Sequence, residues 1–344
     1  MKDYLFWILI PAVISFFMAP LMKKFSFWFN VLDIPSDNRK IHKNPMPLLG
    51  GVGIYLSFIV TIFINKGINI DRGDLGIIIG AAVILIGGVL DDIFDLKPYQ
   101  KLIFQLSASI ILIIFGISIK KLTNPMGFYE DAYININYFS IPLTLLWVVG
   151  ITNAVNLIDG LDGLAAGISL IACITMFFVS ILSGRESAAL FTAVLSGALI
   201  GFLPYNFNPA VIFLGDNGAQ LLGFLLASIS IEGAIKSAAA FSIVVPILAL
   251  GLPIYDTLFA MIRRKINGKP MYQADKGHLH HRLLELGLSQ KQAVIIMYII
   301  SAILGAISIL AMEISTVSSY ILLLTVIIFI GFIAWKAGFF NIRE

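Results

Sequence analysis

Six aspartates hold most of the chemistry that this sequence offers. Asp91, Asp92 and Asp95 fall in VLDDIFDLKPYQKL, Asp159 and Asp162 in NAVNLIDGLDGL, and Asp216 in FLGDNGAQ, each segment set between long apolar runs. Carboxylates are hard oxygen donors suited to Mg2+, which takes one or two of them and completes its shell with water and phosphate oxygens. Three separated acidic clusters that converge could therefore hold a divalent cation and a phosphate. Asp91 and Asp92 are adjacent, so on a helix they point about 100° apart, and one can bind while the other orients. Asp159 and Asp162 would share a helical face, but Gly160 and Gly163 favour a loop turning into a helix there. For Asp162 and Asp216 the plainer alternative is N-capping of the apolar runs that they precede. That alternative is weaker for Asp91 and Asp92, which follow an apolar run, where a helix C-terminus disfavours anions.

Amides and bases accompany the acids. Asn153 and Asn156 lie three apart at the end of an apolar run and can donate to a phosphate or lend oxygen to a metal; helix capping or interhelical bonding is the alternative. Lys101 can meet a phosphate or snorkel to the interface. His278, His280 and His281 crowd the segment KGHLHHRLLELG beside Lys276 and Arg282, and His42 follows Arg39 and Lys40. Structural zinc is disfavoured, since no cysteine accompanies them and the spacing is too tight for a tetrahedral site. With so many bases nearby, phosphate or sugar contact is the better reading, an amphipathic loop helix the alternative. Asp256 in PIYDTLFAMIRR is assigned a structural role first, answering Arg263 or Arg264, and Pro246 and Pro253 should kink or break the run that holds them.

The elements that must position these residues are membrane helices. The 344 residues are 59% hydrophobic and 12% charged, with mean hydropathy +0.95, against the ~25% charged of a soluble domain. A span needs about 20 apolar residues, and the runs fall at 4–22, 48–65, 75–91, 102–119, 139–155, 163–183, 187–204, 217–231, 238–262, 292–312 and 317–336. The expected fold is an all-α polytopic membrane helix bundle of about eleven transmembrane helices, one integral membrane domain over 1–344. An odd number of spans puts the termini on opposite sides. Alternation with the N-terminus outside and the C-terminus cytoplasmic places 16 of the 23 Lys and Arg residues inside, as the positive-inside rule favours. The cytoplasmic loops then lie near 23–47, 92–101, 156–162, 205–216 and 263–291, and every acidic motif and all four histidines fall on that face. Acid at a bilayer boundary is costly to keep without a use.

Other features narrow the class. Cys173 is the single cysteine and lies within a span, which argues against disulfide staples. The first run, followed by Lys23 and Lys24 without a small-residue cleavage site, reads as a retained anchor. The net charge of +3 fits basic loops near anionic lipid and does not imply nucleic acid. There is no P-loop or dinucleotide fingerprint.

DDIFDLKPYQK, NAVNLIDGLDGLAAG, FLGDNGAQLLG, HLHHRL and the loop LDIPSDNRKIHKNPMPLLGG together resemble the polyprenyl-phosphate N-acetylhexosamine-1-phosphate transferases, the superfamily of the phospho-MurNAc-pentapeptide translocase. The resemblance runs to about residue 290. It implies transfer of a sugar 1-phosphate from a UDP-sugar to a lipid phosphate with release of UMP, in a bacterial inner (plasma) membrane with the site on the cytoplasmic face. It further implies Mg2+, with Mn2+ as a substitute, held by Asp216 with Asn156 as second ligand. Asp91, Asp92 and Lys101 would be catalytic. Asn153, Asn156, Asp159, Asp162, Arg39, His42, His278, His280, His281 and Arg282 would bind substrate. The HLHH form and the RKIH loop point to UDP-GlcNAc as donor and undecaprenyl phosphate as acceptor, at the first step of wall teichoic acid, O-antigen or a related glycan. UDP-GalNAc or UDP-MurNAc-pentapeptide is the alternative donor. Membrane lipids are the surrounding partners, and a homodimer is left open. In a different class, a cation-coupled secondary transporter would use the acids as ion sites, but they lie at one membrane face and no inverted repeat is visible. A non-enzymatic membrane scaffold would leave the acidic clusters unexplained.

Overall fold

The computed structural model describes residues 4–35, 44–64, 70–124, 133–235, 243–268, 270 and 277–339. Its helices are α1 (Tyr4–Trp28), α2 (Gly50–Ile64), α3 (Arg72–Phe94), α4 (Pro98–Ile114), α5 (Ser140–Ile158), α6 (Leu164–Leu182), α7 (Glu186–Asn206), α8 (Gly215–Ile235), α9 (Val244–Ala249), α10 (Gly251–Ile266), α11 (Leu279–Glu285), α12 (Gln290–Glu313) and α13 (Thr316–Lys336). Two small antiparallel ribbons accompany them, β1 (Leu32–Asp33) with β2 (Met46–Pro47) and β3 (Lys121–Thr123) with β4 (Tyr133–Asn135). Among the described residues seven helices are long and apolar enough to cross a membrane: α1, α3, α5 with the short turn before it, α6, α7, α12 and α13. The expected runs at 48–65 and 102–119 form the shorter apolar helices α2 and α4.

The run expected at 238–262 is divided. The α9 helix stops at Ala249, Leu250 stands between, and α10 begins at Gly251. Proline lacks the amide that a helix interior needs, and Pro246 and Pro253 flank this break.

The bundle is organised around α8, which packs on α2, α3, α5, α6 and α7. Leu221, Leu222, Phe224, Leu225, Leu226, Ala227, Ile229 and Ile231 are all buried, so α8 is enclosed on every side, the pattern of a helix surrounded by others. Close approach needs small residues. A Cβ on Gly88 of α3 would strike the Asn217 backbone, and one on Gly51 of α2 would strike that of Gly218, so these glycines let the start of α8 wedge between two neighbours. At the periphery, α1 and α13 turn Leu5, Phe6, Phe17, Ile328, Phe329 and Phe332 outward, an apolar coat suited to lipid.

Side-chain contacts bring the end of α3 to the starts of α4 and α8, and the end of α5 to the start of α8. The histidine turn joins the same end, where His280 lies against Gly160 just after α5.

Candidate active site

The start of α8 is held from outside by a carboxylate. The first amides of a helix have no partner within it, and here Asp92 of α3 accepts from the Asp216 amide at 2.8 Å and the Asn217 amide at 3.1 Å. The Asn217 side chain donates to the same Asp92 carboxylate at 2.5 Å and to the Leu48 carbonyl at 2.6 Å. Gly215 makes this possible: its φ is +74°, and a Cβ there would run into the Leu48 carbonyl and Asp92. Asp92 therefore works as the cap of α8, while Asp216 turns its side chain elsewhere.

Asp216 meets Lys101 and Asn156. The Lys101 ammonium lies 2.5 Å from Asp91 Oδ2 and 3.1 Å from Asp216 Oδ2, and the Asn156 amide donates to Asp216 Oδ1 at 2.5 Å. Asp91 is the enclosed member, with 1% of its side chain exposed and Oδ1 taken by the Leu96 amide. Asp216 keeps 33% of its side chain exposed, so it is the carboxylate that a ligand can reach. The exposed Asp216 carboxylate, with the Asn156 amide beside it, offers hard donors that fit Mg2+, whose remaining positions water and phosphate would fill. Among the described residues no three His, Cys, Asp or Glu side chains form a metal-holding group. Asn156 turns its nitrogen to Asp216, and as a second ligand it would present its oxygen instead.

Behind this cluster lies an amide relay. Asn153 donates to Gln105 Oε1 at 2.7 Å, and Gln105 in turn donates to Gln220 at 3.0 Å, tying α5, α4 and α8 together. Gln105 sits one turn beyond Lys101, so their shared helical face was the available signal for it. Asn217, which follows Asp216 in the motif, was also missed.

The 159–163 loop serves two ends. Asp162 accepts from the Asn208 side chain at 2.9 Å and the Ala210 amide at 3.0 Å, which anchors the connection from α7 to α8. The N-cap of α6 is Gly163, without a side-chain capping bond. Burial, then the charges of Asp216 and Asp162, push the Asp159 carboxyl up to about 8, so it holds a proton at neutral pH.

The histidines form a stack. The rings of His278 and His280 lie 5.9 Å apart and nearly parallel, and His281 lies 4.2 Å from His280. His280 is buried against Gly160, where any Cβ would strike its Nε2, which joins the histidine turn to the 159–163 loop. Burial, followed by the charge of His281, pulls the His280 ring down to about 3 and keeps it neutral. Asp256 accepts from His278 and the Leu279 amide, partners that its sequence neighbours Arg263 and Arg264 did not suggest. Arg282 donates to the Gly338 and Phe339 carbonyls at 3.0 Å and lies over the Phe339 ring, so its guanidinium is spent on the turn after α13. Arg39 and His42 lie outside the described residues.

Residues 75–234 match the family described as Glycosyl transferase family 4. Over 94% of its length the chain is 37% identical to a Bacillus subtilis protein, covering 89% of it, named a probable undecaprenyl-phosphate N-acetylglucosaminyl 1-phosphate transferase. It is 32% identical to a Thermotoga maritima undecaprenyl-phosphate alpha-N-acetylglucosaminyl 1-phosphate transferase over 78% of each chain. With a Clostridium botulinum phospho-N-acetylmuramoyl-pentapeptide-transferase it shares 33% identity over 85% of this chain and 90% of that one.

Proposed function

Because the chain belongs to glycosyl transferase family 4, we propose that it transfers GlcNAc-1-phosphate from UDP-GlcNAc to undecaprenyl phosphate, releasing UMP. The product is undecaprenyl-diphosphate-GlcNAc, the membrane-bound start of a surface glycan. The observation that carries this reading is the Asp91, Lys101, Asp216 and Asn156 cluster, a cation-bracketing pair of carboxylates at the end of an apolar bundle. An acceptor buried in lipid explains the bundle, and a soluble donor explains the site at its end.

Phosphoryl transfer depends mainly on positioning and charge stabilisation. An oxygen of the lipid phosphate attacks the phosphorus that carries the sugar. The bond from that phosphorus to the bridging oxygen breaks, and UMP leaves with the electrons. Direct attack suits an acceptor that is already anionic at pH 7 and needs little deprotonation. Mg2+, or Mn2+ in its place, would be held by Asp216 with Asn156 beside it and would offset diphosphate charge. Lys101 offers its ammonium to a phosphate oxygen, and Asp91 holds that ammonium in place. Asp92 fixes the backbone of Asp216. Asp159 and the histidine turn face the donor.

The enzyme is assigned to a bacterial plasma membrane, N-terminus outside and C-terminus cytoplasmic, with the site on the cytoplasmic face. The positive-inside count supports that orientation. Purified protein supplied with undecaprenyl phosphate, UDP-GlcNAc and Mg2+ should release UMP. Release of UDP would instead mean ordinary glycosyl transfer, and the same assay with UDP-GalNAc and UDP-MurNAc-pentapeptide identifies the preferred donor.

A further inference from the structure

One acid of the histidine region has no part in the reaction described above. Asp256 lies on α10, 6% exposed, on the stretch that restarts the helix after the break at Leu250. Its two oxygens are used separately: Oδ2 meets His278 Nδ1 at 2.7 Å, and Oδ1 accepts from the Leu279 amide at 2.8 Å. The second bond supplies what α11 lacks, because His278 is the N-cap of that helix and makes no capping bond with its own side chain. The first bond selects a tautomer. A carboxylate on Nδ1 keeps the proton on that nitrogen and leaves Nε2 as the edge with a free function.

From this geometry we infer that Asp256 is a positioning residue: it clasps ring and backbone of His278 at once, so that Nε2 is set toward the phosphate or sugar oxygens of the donor. The inference rests on the phosphosugar-transfer reading. Here the carboxylate holds the ring by its Nδ1 edge, and the His280 ring lies nearly parallel 5.9 Å away. His280 in turn rests on Gly160 in the loop that follows Asn156, the residue bonded to Asp216. The clasp on α10 and the acidic cluster are thus joined through His280 and the loop after Asn156. α10 also fixes the turn from its far side, since a Cβ on Gly277 would collide with the Arg263 guanidinium.

The test combines kinetics with a direct view of the ring. UMP release would be followed for wild type, Asp256→Asn, Asp256→Glu, His278→Gln and the Asp256→Asn/His278→Gln double variant, each checked for a normal melting transition in detergent. Loss of a carboxylate that orients a working histidine costs about 10–100-fold. Asp256→Asn should fall by that factor in kcat/KM for the nucleotide sugar. Asp256→Glu should regain part of the loss, and the double variant should be no slower than His278→Gln alone. Additive losses, or an Asp256→Asn enzyme at wild-type rate, would overturn the assignment. In parallel, the chain holds four histidines, so 15N-histidine spectra can be assigned with the His278→Gln protein. His278 should be protonated on Nδ1 in wild type and lose that preference in Asp256→Asn; an unchanged tautomer rejects the clasp. The spectra need no turnover, so a wild type that releases no UMP would count against the phosphosugar-transfer reading while the clasp is still tested.

Discussion

At the residue scale, Asp91, Asp92 and Asp216 divide their work by what their oxygens touch. Asp92 spends its carboxylate on the α8 amides and the Asn217 side chain, whereas Asp216 remains a third exposed. Asp216→Asn should abolish UMP release or raise the Mg2+ requirement while the protein inserts and melts normally. Asp92→Asn should also lower the rate by orders of magnitude, but with a fall in melting temperature, because a buried donor left unsatisfied costs about 1–3 kcal/mol. Comparing the two in one Mg2+ titration with parallel melting curves separates a ligand from a cap; normal turnover of Asp216→Asn at low Mg2+ would remove Asp216 from the metal. His280 gives a pH test. Folded, it titrates near 3, and unfolded near 6.5. Above 6.5 both states are neutral and its contribution is fully present. As pH falls from 6.5 toward 3 the unfolded chain gains a proton that the fold refuses, at a cost of about 1.4 kcal/mol per pH unit. His280→Gln should therefore flatten the loss of melting temperature between pH 6.5 and 5 relative to wild type.

At the scale of elements, the histidine turn is held by parts of the chain far from it in sequence. Asp256 on α10 fastens its start, His280 leans on the 159–163 loop, and Arg282 grips the carbonyls after α13. Arg263 donates to the same Phe339 carbonyl at 3.1 Å. Deleting residues 337–344 strips acceptors from two buried guanidinium groups, and hydrogen bonds to charged groups are worth about 1.5–3 kcal/mol each. UMP release in isolated membranes, normalised to the amount of inserted protein, should fall roughly tenfold or more. Unchanged activity would mean that α13 serves only as a lipid-facing strut. The apolar runs themselves were readable, since each expected run contains a helix, and the break in the ninth followed from its prolines. The partners of Asp162 and Arg282 were not, because a hydrogen bond between residues 46 or 56 positions apart leaves no local pattern.

At the scale of the whole molecule, alternation of helix direction gathers the chemistry at one end. Labelling with a membrane-impermeant thiol reagent tests which side that end faces. Cys173 is buried and silent, so single cysteines report alone. Leu286→Cys, beside the histidine turn, should react only after the membrane is opened, and Tyr138→Cys, at the start of α5, in intact cells. The reverse pattern would overturn the assigned orientation. Charge and hydropathy were enough by themselves to identify a membrane helix bundle with acidic clusters, because these depend on residue type and local period, and the resemblance of its motifs pointed to the family. What they left open was which carboxylate faces which partner. Asp91 and Asp92 are equal in sequence, and only the wedge of α8 between Gly51 and Gly88 brings the Asp216 amide onto one of them and the Lys101 ammonium onto the other. Asp256 likewise looked like a neighbour of arginines until the fold set His278 against it, since burial and distance between remote segments exist only after packing.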